Sequence, residues 1–445
     1  MTHSATERQR FTTTAGLRLR ATFDAGRLTS DGGLPWLAAA DQDLGLCASL
    51  AGCVPEWRHG PVRHSLLELV RQRVFQIACG YADQNDASTL RSDPLLKLVC
   101  GRRPDSGADL ASQPTLSRLE NAVDRHACEA VAEALVGRYI QQRQRAGTPL
   151  HLVLDLDGTD DPAHGRQPEM AYHGFYGQHM DYPLLVFDGD TGQLITAVLR
   201  PGNVHGSRFV VLVLRRLLQH FRAAWPEVGL EIRADSGFAV PRLYAWCERH
   251  GVTYTIGLVP NRRLVVLAAP LLAQALAESS ARGGAKVRLA GETAYQAKSW
   301  PKPRRVIYKA EALAKGPNTR FVVTTRSDEP LALYDWYVDR GTPENWIKDF
   351  KNALQADQLH DHRFWANQFR LLLHVAAYWL LDTLRRWLVQ RIGQAARIQL
   401  DTLRLRLLKI GARVRELPNS IRLHLASRHP GEPLWRALAA HRTAS

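Results

Sequence analysis

The sequence predicts a mixed α/β fold in which a β-sheet carries helices on its faces. Between residues 148 and 260, strand-like and helical runs follow one another in the order strand, strand, strand, helix, strand, helix, strand. The first three strands can pair as an antiparallel meander, whereas each strand–helix–strand step requires a parallel crossover. After Asn261, a helical run and three strand-like segments rich in Lys and Arg predict an antiparallel β insertion that interrupts the sheet.

The N-terminal region, residues 1–147, has the pattern of a mainly helical segment. A short extended opening leads to the turn LTSDGG, and several amphipathic runs follow, of which HSLLELVRQRVFQIACGY is the clearest. Its apolar residues recur at helical spacing, which places Arg71 and Arg73 on the outer face. This region is either a DNA-reading module or a cap over a neighbouring domain, and composition does not separate the two.

Net charge is the most informative property of the composition. The 445-residue chain carries 58 Lys and Arg against 43 Asp and Glu, a formal net charge of +15, and the stretch from Asp382 onward holds thirteen basic and four acidic residues. Such an excess suits a polyanion partner, because neutralised phosphates release counterions. The six cysteines form no C-x-x-C pair and are expected to be reduced. We find no run of about eighteen apolar residues and no signal-peptide pattern, so we expect a cytoplasmic protein that spans no membrane.

Five regions follow from these changes of pattern. The last two contain a long apolar helix, FRLLLHVAAYWLLDTLRRWLVQRI, and basic helices after it. The predicted regions are the N-terminal mainly helical, DNA-binding region (1–147), the first part of the core (148–260), the β-rich insertion (261–331), the C-terminal part of the core (332–381) and the basic helical C-terminal region (382–445).

Acidic residues inside apolar strands are the strongest local signal for chemistry. Asp155 and Asp157 share one face of a strand because side chains alternate, and Asp235 ends a second strand. A carboxylate in such a setting is costly unless it is paired, hydrogen-bonded or bound to metal. Acids at strand ends tend to meet at one edge of a sheet, and with Glu344 from a helix they would form an all-oxygen cage for Mg²⁺, or for Mn²⁺ in its place. The alternative is that each aspartate is an ordinary turn or cap residue.

The stretch Leu331–Leu354 brings cations to this set. On a continuous helix Tyr337, Arg340, Glu344, Lys348 and Lys351 fall within one arc of roughly 80°, beside an apolar arc. A helix start at the Gly-Thr-Pro before Glu344 would keep the last three on one face and put the first two on the turn that leads in. The cations would hold DNA phosphates, while a plain surface helix with i, i+4 ion pairs is the alternative.

One aromatic residue in the insertion is a further candidate for DNA contact. Trp300 lies among basic residues and would stack on an unpaired base, or else pack on its own sheet.

Several motifs resemble those of bacterial insertion-sequence DDE transposases. The spacing Y-x2-R-x3-E-x6-K, formed by Tyr337, Arg340, Glu344 and Lys351, resembles the YREK signature of the insertion-sequence-four superfamily. The stretches LDLDGTDDPAHGRQ, YPLLVFDGDTGQLITAVLRPGNVH, RADSGF and GYADQNDASTLRSDP are similar to the branch called insertion sequence thirteen-eighty.

The resemblance implies an RNase H-like catalytic core interrupted by a β-rich insertion. It assigns Asp157, which precedes Gly-Thr, as the first catalytic and metal-binding acid, with Asp235 and Glu344 as the second and third. Tyr337, Arg340 and Lys351 map to positions that hold DNA phosphates. The implied function is cut-and-paste transposition with Mg²⁺, acting as a homodimer on inverted repeats and target DNA in a bacterial cytoplasm near the nucleoid. A metal-dependent nuclease without strand transfer and a non-catalytic DNA-binding protein of the same fold are the alternatives.

Overall fold

The N-terminal part of the chain consists of three short strands followed by helices. The structure is a computed structural model that describes residues 9–12, 15, 17–163, 170–174, 176–393 and 398–442. Helix starts follow local chemistry, as where the Ser65 hydroxyl accepts a hydrogen bond from the backbone N–H of Glu68 at 3.1 Å. The elements are β1 (Gln9–Thr12), β2 (Arg18–Ala21), β3 (Leu28–Thr29), α1 (Leu34–Leu44), α2 (Leu46–Ala51), α3 (Leu66–Ala78), α4 (Ala87–Leu90), α5 (Pro94–Val99), α6 (Gln113–Ala122) and α7 (Arg125–Ala146).

The central region follows the predicted order of strands and helices. Its first strand, HLVLDLDG, is buried at six consecutive positions because the sheet is covered on both faces. Three short additional strands form a small separate sheet. The elements are β4 (His151–Gly158), β5 (Asp161–Pro162), β6 (Ala171–His173), β7 (Gln178–Asp181), β8 (Leu184–Asp188), β9 (Leu194–Val198), α8 (Val210–Ala224), β10 (Gly229–Ala234), α9 (Pro241–His250) and β11 (Thr253–Leu258).

The insertion consists of one helix and three long antiparallel strands. Leu264, Ala268 and Ala275 of the helix are buried, while Val265 and Val266 are exposed. Contrary to the sequence-based expectation, this helix is long and apolar enough by length and composition to cross a membrane, with a mean hydropathy of 1.6 over a window that is 17% buried. Gln and Pro interrupt its apolar run, but the average stays high. The elements are α10 (Arg262–Ala281), β12 (Val287–Tyr295), β13 (Arg304–Leu313) and β14 (Gly316–Thr324).

The strands of the core and the insertion form one sheet. Its order is β9-β8-β4-β10-β11-β14-β13-β12. β4 pairs antiparallel with β8, β8 antiparallel with β9, and β10 parallel with both β4 and β11. This arrangement is that of an RNase H-like sheet, as predicted. The insertion extends the same sheet, because β14 pairs antiparallel with β11.

The remaining elements include the segment that carries the YREK spacing. A 3₁₀ turn, Asp339–Gly341, joins α11 (Pro330–Val338) to α12 (Thr342–Lys348). The elements are α11 (Pro330–Val338), α12 (Thr342–Lys348), α13 (Phe364–Ile392), α14 (Leu400–Leu403), β15 (Ala412–Leu417), β16 (Ser420–Leu425) and α15 (Glu432–Arg442).

The C-terminal region is not wholly helical, which corrects the prediction of basic helices there. β15 and β16 form an antiparallel hairpin, and β15 also pairs with β3 near the start of the chain. The sequences ARVREL and SIRLHL alternate apolar and polar residues with the period of a strand, and Pro418 and Asn419 form the turn between them.

The N-terminal helices share one hydrophobic core with the sheet and with α13. That core includes Val74 of α3, Leu154 of β4 and Trp379 of α13. Arg73, predicted on the outer face of α3, is fully buried instead. Its Nε donates to one oxygen of Glu120 at 2.7 Å, and Nε of Arg370 donates to the other at 2.7 Å. Two buried guanidinium groups require such a counter-charge, so Glu120 ties α3, α6 and α13 together.

Candidate active site at the ends of two parallel strands

Asp157 and Asp235 lie at the carboxyl ends of two neighbouring strands. β4 and β10 run parallel with Leu156 opposite Ala234, so the next residue of each strand reaches the same edge of the sheet. One oxygen of each carboxylate is used locally: the N–H of Gly158 donates to Asp157 at 2.9 Å, and the N–H of Gly237 donates to Asp235 at 2.8 Å. The second oxygen of each is left for another partner.

That partner is Arg340, on the turn between α11 and α12. Its Nη2 donates to Oδ2 of Asp157 at 3.2 Å and lies 3.9 Å from Oδ2 of Asp235. Burial lowers the pKa of Arg340, but Asp157, Tyr337 and Asp235 outweigh that effect and the net pKa is raised. The structure therefore brings the first two predicted acids onto one guanidinium.

Negative charge is concentrated at Asp157. Burial raises the pKa of this carboxyl to about 6, and the neighbouring Asp235 and Glu344 add to the rise while Arg340 opposes it. Glu344 is exposed on the first turn of α12. A site with this balance favours an added cation.

The carboxylates fit a hard divalent cation, although the third acid stands apart. Carboxylate oxygens are the ligands that Mg²⁺ and Mn²⁺ prefer, and Asp157 and Asp235 already share one positive group. Across the described ranges, no three Asp, Glu, His or Cys side chains gather closely enough to hold one ion. The three-acid cage predicted from the sequence is thus present here as a pair, with Glu344 outside it.

Tyr337 lies on the last turn of α11 and contacts the sheet. Its hydroxyl donates to the backbone oxygen of Ala234 at 3.1 Å, and a methyl group on Gly257 would come within 2.7 Å of that hydroxyl. Burial raises the pKa of Tyr337 to about 12. The hydroxyl thus docks the segment that carries Arg340 against β10 and β11.

The two lysines of the YREK stretch differ in their surroundings. Nζ of Lys351 donates to the side chain of Asp160 at 2.8 Å and to its backbone oxygen at 3.1 Å, and pairs with Asp357 at 3.4 Å. Burial lowers the pKa of Lys351, but Asp160 and Asp357 raise it overall. Lys348 is exposed. Lys351 therefore fixes the loop that follows Asp157, and sequence analysis missed the two aspartates that hold it.

Asp155 has a structural partner. Both of its oxygens accept from Arg233, at 2.6 and 2.8 Å, and both side chains are buried. Nη1 of Arg233 also donates to the backbone oxygen of Trp336 in α11 at 3.0 Å. Arg233 was not among the predicted residues, although an arginine within the apolar strand LEIRA needs a buried counter-charge and could have been recognised by that.

The prediction that Trp300 stacks on a base does not fit the structure. Its side chain is 5% exposed and packs edge-on against Tyr244 and Tyr295, with the Arg304 guanidinium 5.3 Å from its ring centroid. These contacts cover the indole because the segment between β12 and β13 packs against Tyr244 of α9 and Tyr295 of β12. The end of the motif LDLDGTDDPAHGRQ, residues 164–167, lies outside the described residues.

Comparisons with known proteins identify the family of the chain. The sequence model of a family described as "Transposase DDE domain group 1" matches residues 11–443. No curated protein matches the chain. Among solved structures, the piggyBac transposase in a synaptic complex with hairpin DNA is similar with a TM-score of 0.46 and 12% sequence identity, over 90% of this chain and 81% of that chain. Because the family match spans nearly the whole sequence, the protein belongs to the Transposase DDE domain group 1 family.

Proposed function

We propose that this transposase excises an insertion sequence by hydrolysis at its inverted repeats and joins it to target DNA in a cut-and-paste reaction. The observation that carries the proposal is the convergence of Asp157 and Asp235 on Arg340 at the ends of two adjacent parallel strands. We further propose that Tyr337, Arg340, Glu344 and Lys351 form a YREK site of the insertion-sequence-four superfamily, in its thirteen-eighty branch.

In this proposal Asp157 and Asp235, joined by Glu344, hold two divalent ions, Mg²⁺ or Mn²⁺. When bound, such ions supply the positive charge that stabilises the attacking and leaving oxygens of a phosphodiester displacement. Arg340 now offsets one of the two negative charges of the aspartates. If divalent ions neutralised the two aspartates, the Arg340 guanidinium would be available to donate two hydrogen bonds to a DNA phosphate. Lys351 keeps the loop after Asp157 in place through Asp160.

The chemistry consists of two displacements at phosphorus. In hydrolysis, a water oxygen attacks phosphorus, the bond from phosphorus to the 3′ oxygen breaks, and that oxygen takes up a proton to leave a 3′-OH. In strand transfer, this 3′-OH attacks a phosphorus of the target strand, whose own 3′ oxygen leaves with a proton. The number of phosphodiester bonds is conserved in the second step.

The test of the acid residues is the substitution Asp235→Asn. We expect it to remove Mg²⁺-dependent cleavage of a DNA fragment that carries the ends of the element, while binding of that fragment persists. Asp190→Asn is the matched control, because Asp190 is an exposed aspartate on the β8–β9 turn. Cleavage at the wild-type rate by purified Asp235→Asn protein would exclude the metal-binding role.

Two further assays separate the alternatives. A nuclease without strand transfer would cleave but would not join a labelled 3′-OH end to a circular plasmid, whereas the proposed transposase joins them. A non-catalytic DNA-binding protein would show no Mg²⁺ binding by calorimetry that depends on Glu344, so the wild-type chain and Glu344→Gln would give the same titration. Light scattering with and without the fragment tests the proposed homodimer on DNA.

A further inference from the structure

A basic groove lies beside the turn that carries Asp235. It has a volume of about 560 Å³ and is lined by the loop after β9 and by the first turns of α8 and α9. Three of its side chains are arginines, namely Arg208, Arg215 and Arg242, and all three are exposed. None of the described residues that line it is acidic. The groove is therefore a concentration of positive charge facing solvent.

These arginines lack the partners that other arginines of this chain have. Arg216, next in sequence to Arg215, pairs with Glu129 at 3.2 Å, and Arg233 and Arg340 are held by aspartates. Within the part of the chain that the structure describes, no carboxylate lies within ion-pair distance of Arg208, Arg215 or Arg242. Exposed cations without a counter-charge are free to bind a polyanion.

The starts of two helices add to this positive field. α8 begins at Val210 and α9 at Pro241, and no side chain caps either helix. The first turn of a helix carries partial positive charge that attracts anions, even though Pro241 has no N–H and the N–H groups of Val210 and Leu243 donate to backbone oxygens. The two dipoles act together with the three guanidinium groups at one groove.

The loop that forms the groove is held rigidly next to the catalytic turn. Arg200 is fully buried, and its Nη1 donates to the backbone oxygens of Gly206 at 2.5 Å and Arg208 at 3.1 Å. A methyl group on Gly206 would lie 3.3 Å from the backbone oxygen of Gly237, two residues after Asp235. The loop that lines the groove therefore packs against the turn that follows the second acid of the site.

Phe209, at the mouth of the groove, adopts an unusual backbone conformation. Its φ is 64°, in the left-handed region that bulky residues avoid, and its side chain is 41% exposed. The guanidinium of Arg208 lies 4.9 Å from its ring centroid. Such strain persists only where the surroundings impose it and is concentrated at functional sites. The conformation turns the chain from the loop into α8 and brings Arg208 to the rim.

We infer that this basic groove binds the phosphate backbone of DNA on the Asp235 side of the active site, beyond the phosphate that is cleaved. The inference rests on the proposed transposase function, and it adds Arg208, Arg215 and Arg242 to the DNA-binding residues. The DNA in the groove is either the flank beside the element end or the target duplex, since both present the same phosphates.

The first experiment measures DNA binding by fluorescence anisotropy with a 40-base-pair duplex in EDTA, from 50 to 200 mM salt. The logarithm of the affinity falls linearly with the logarithm of the salt concentration, and each lost phosphate contact reduces the steepness of that fall by about one. We expect this decrease for Arg242→Ala, and a decrease of about three for the triple alanine variant of Arg208, Arg215 and Arg242. Arg249→Ala is the matched control, because Arg249 is exposed at the other end of the same helix. Slopes equal to wild type in Arg242→Ala and the triple variant would overturn the inference.

The second experiment identifies which DNA the groove holds. If it holds the flank, the triple variant loses cleavage of a fragment with flanking DNA but still joins a pre-cleaved 3′-OH end to a plasmid. If it holds the target, cleavage persists and joining is lost. If the triple variant retained both activities at wild-type rates, the inference would be contradicted. The triple variant should have the same melting temperature as Arg249→Ala, which checks that it is folded. The active-site proposal is tested separately, because cleavage by the Asp235→Asn protein would contradict that proposal and not the one about the groove.

Discussion

Asp155 and Asp157 lie two residues apart on one face of β4, and we predict that their removal changes stability in opposite directions. Asp155→Asn removes the charge that neutralises Arg233, a residue that is 3% exposed. Removing one partner of a buried ion pair costs about 3–5 kcal/mol. Burial raises the pKa of Asp155 although Arg233 opposes the rise, so removing the carboxylate offsets part of the loss. Asparagine also retains one acceptor oxygen, and we therefore expect a loss near the lower end, about 3 kcal/mol.

Asp157→Asn should stabilise the protein instead. The pKa of Asp157 is raised from 3.8 to about 6 by burial and by Asp235 and Glu344. At about 1.4 kcal/mol per pKa unit, the ionised carboxylate costs up to about 3 kcal/mol of stability at pH 7. Since the folded state binds the proton more tightly than the unfolded chain, this cost is fully present above pH 6 and disappears as the pH falls towards 3.8. A neutral asparagine does not incur it.

Urea unfolding followed by circular dichroism, in EDTA at pH 7.5, measures both effects. We expect a lower urea midpoint for Asp155→Asn than for the wild type, and a higher one for Asp157→Asn. At pH 5 the difference between Asp157→Asn and the wild type should be smaller. Shifts of the same sign in the two variants, or an Asp155→Asn midpoint equal to wild type, would refute the assignment of Asp155 to structure and of Asp157 to the site.

Four other substitutions test the core and the surroundings of the site. Glu120→Gln should lower the free energy of unfolding by about 3 kcal/mol at pH 7, because the buried Arg73 and Arg370 hold the pKa of Glu120 at about 2. This stabilisation is present above about pH 4.5 and is lost as the pH falls through 2. The difference between the urea midpoints of variant and wild type should therefore narrow below pH 4.5. Tyr337→Phe removes the hydrogen bond to Ala234, so it should lower the free energy of unfolding by about 1 kcal/mol and also lower the cleavage rate. An unchanged cleavage rate would show that docking of α11 is not needed for cleavage. Gly158→Ala would place a methyl group 2.7 Å from the Tyr182 ring, beside Asp157, and should lower both the melting temperature and the cleavage rate. Gly137→Ala lies at a helical position where the methyl group would have nothing within 4 Å, so it should raise the melting temperature slightly.

The architecture of the sheet and the identity of the acids near its edge could be predicted from the amino-acid sequence. The order of strands and helices between residues 148 and 260 implied antiparallel and parallel pairings that the structure contains. Asp157 and Asp235 could be placed at strand ends because burial of apolar side chains has a period that is visible in the sequence. The break before Glu344 was visible for a similar reason, since Gly and Pro restrict the backbone locally.

Which charges are paired and which face solvent could not be predicted from local sequence patterns. A helical period placed Arg73 outside, yet α6 and α13 cover it and Glu120 neutralises it. The same long-range contacts put Arg340 between the two aspartates, turned Trp300 into a core residue and left Arg208, Arg215 and Arg242 open at the groove. Local periodicity reports only the preference of a segment for burial. The partner of a charged side chain comes from residues distant in sequence, so only the folded chain determines it.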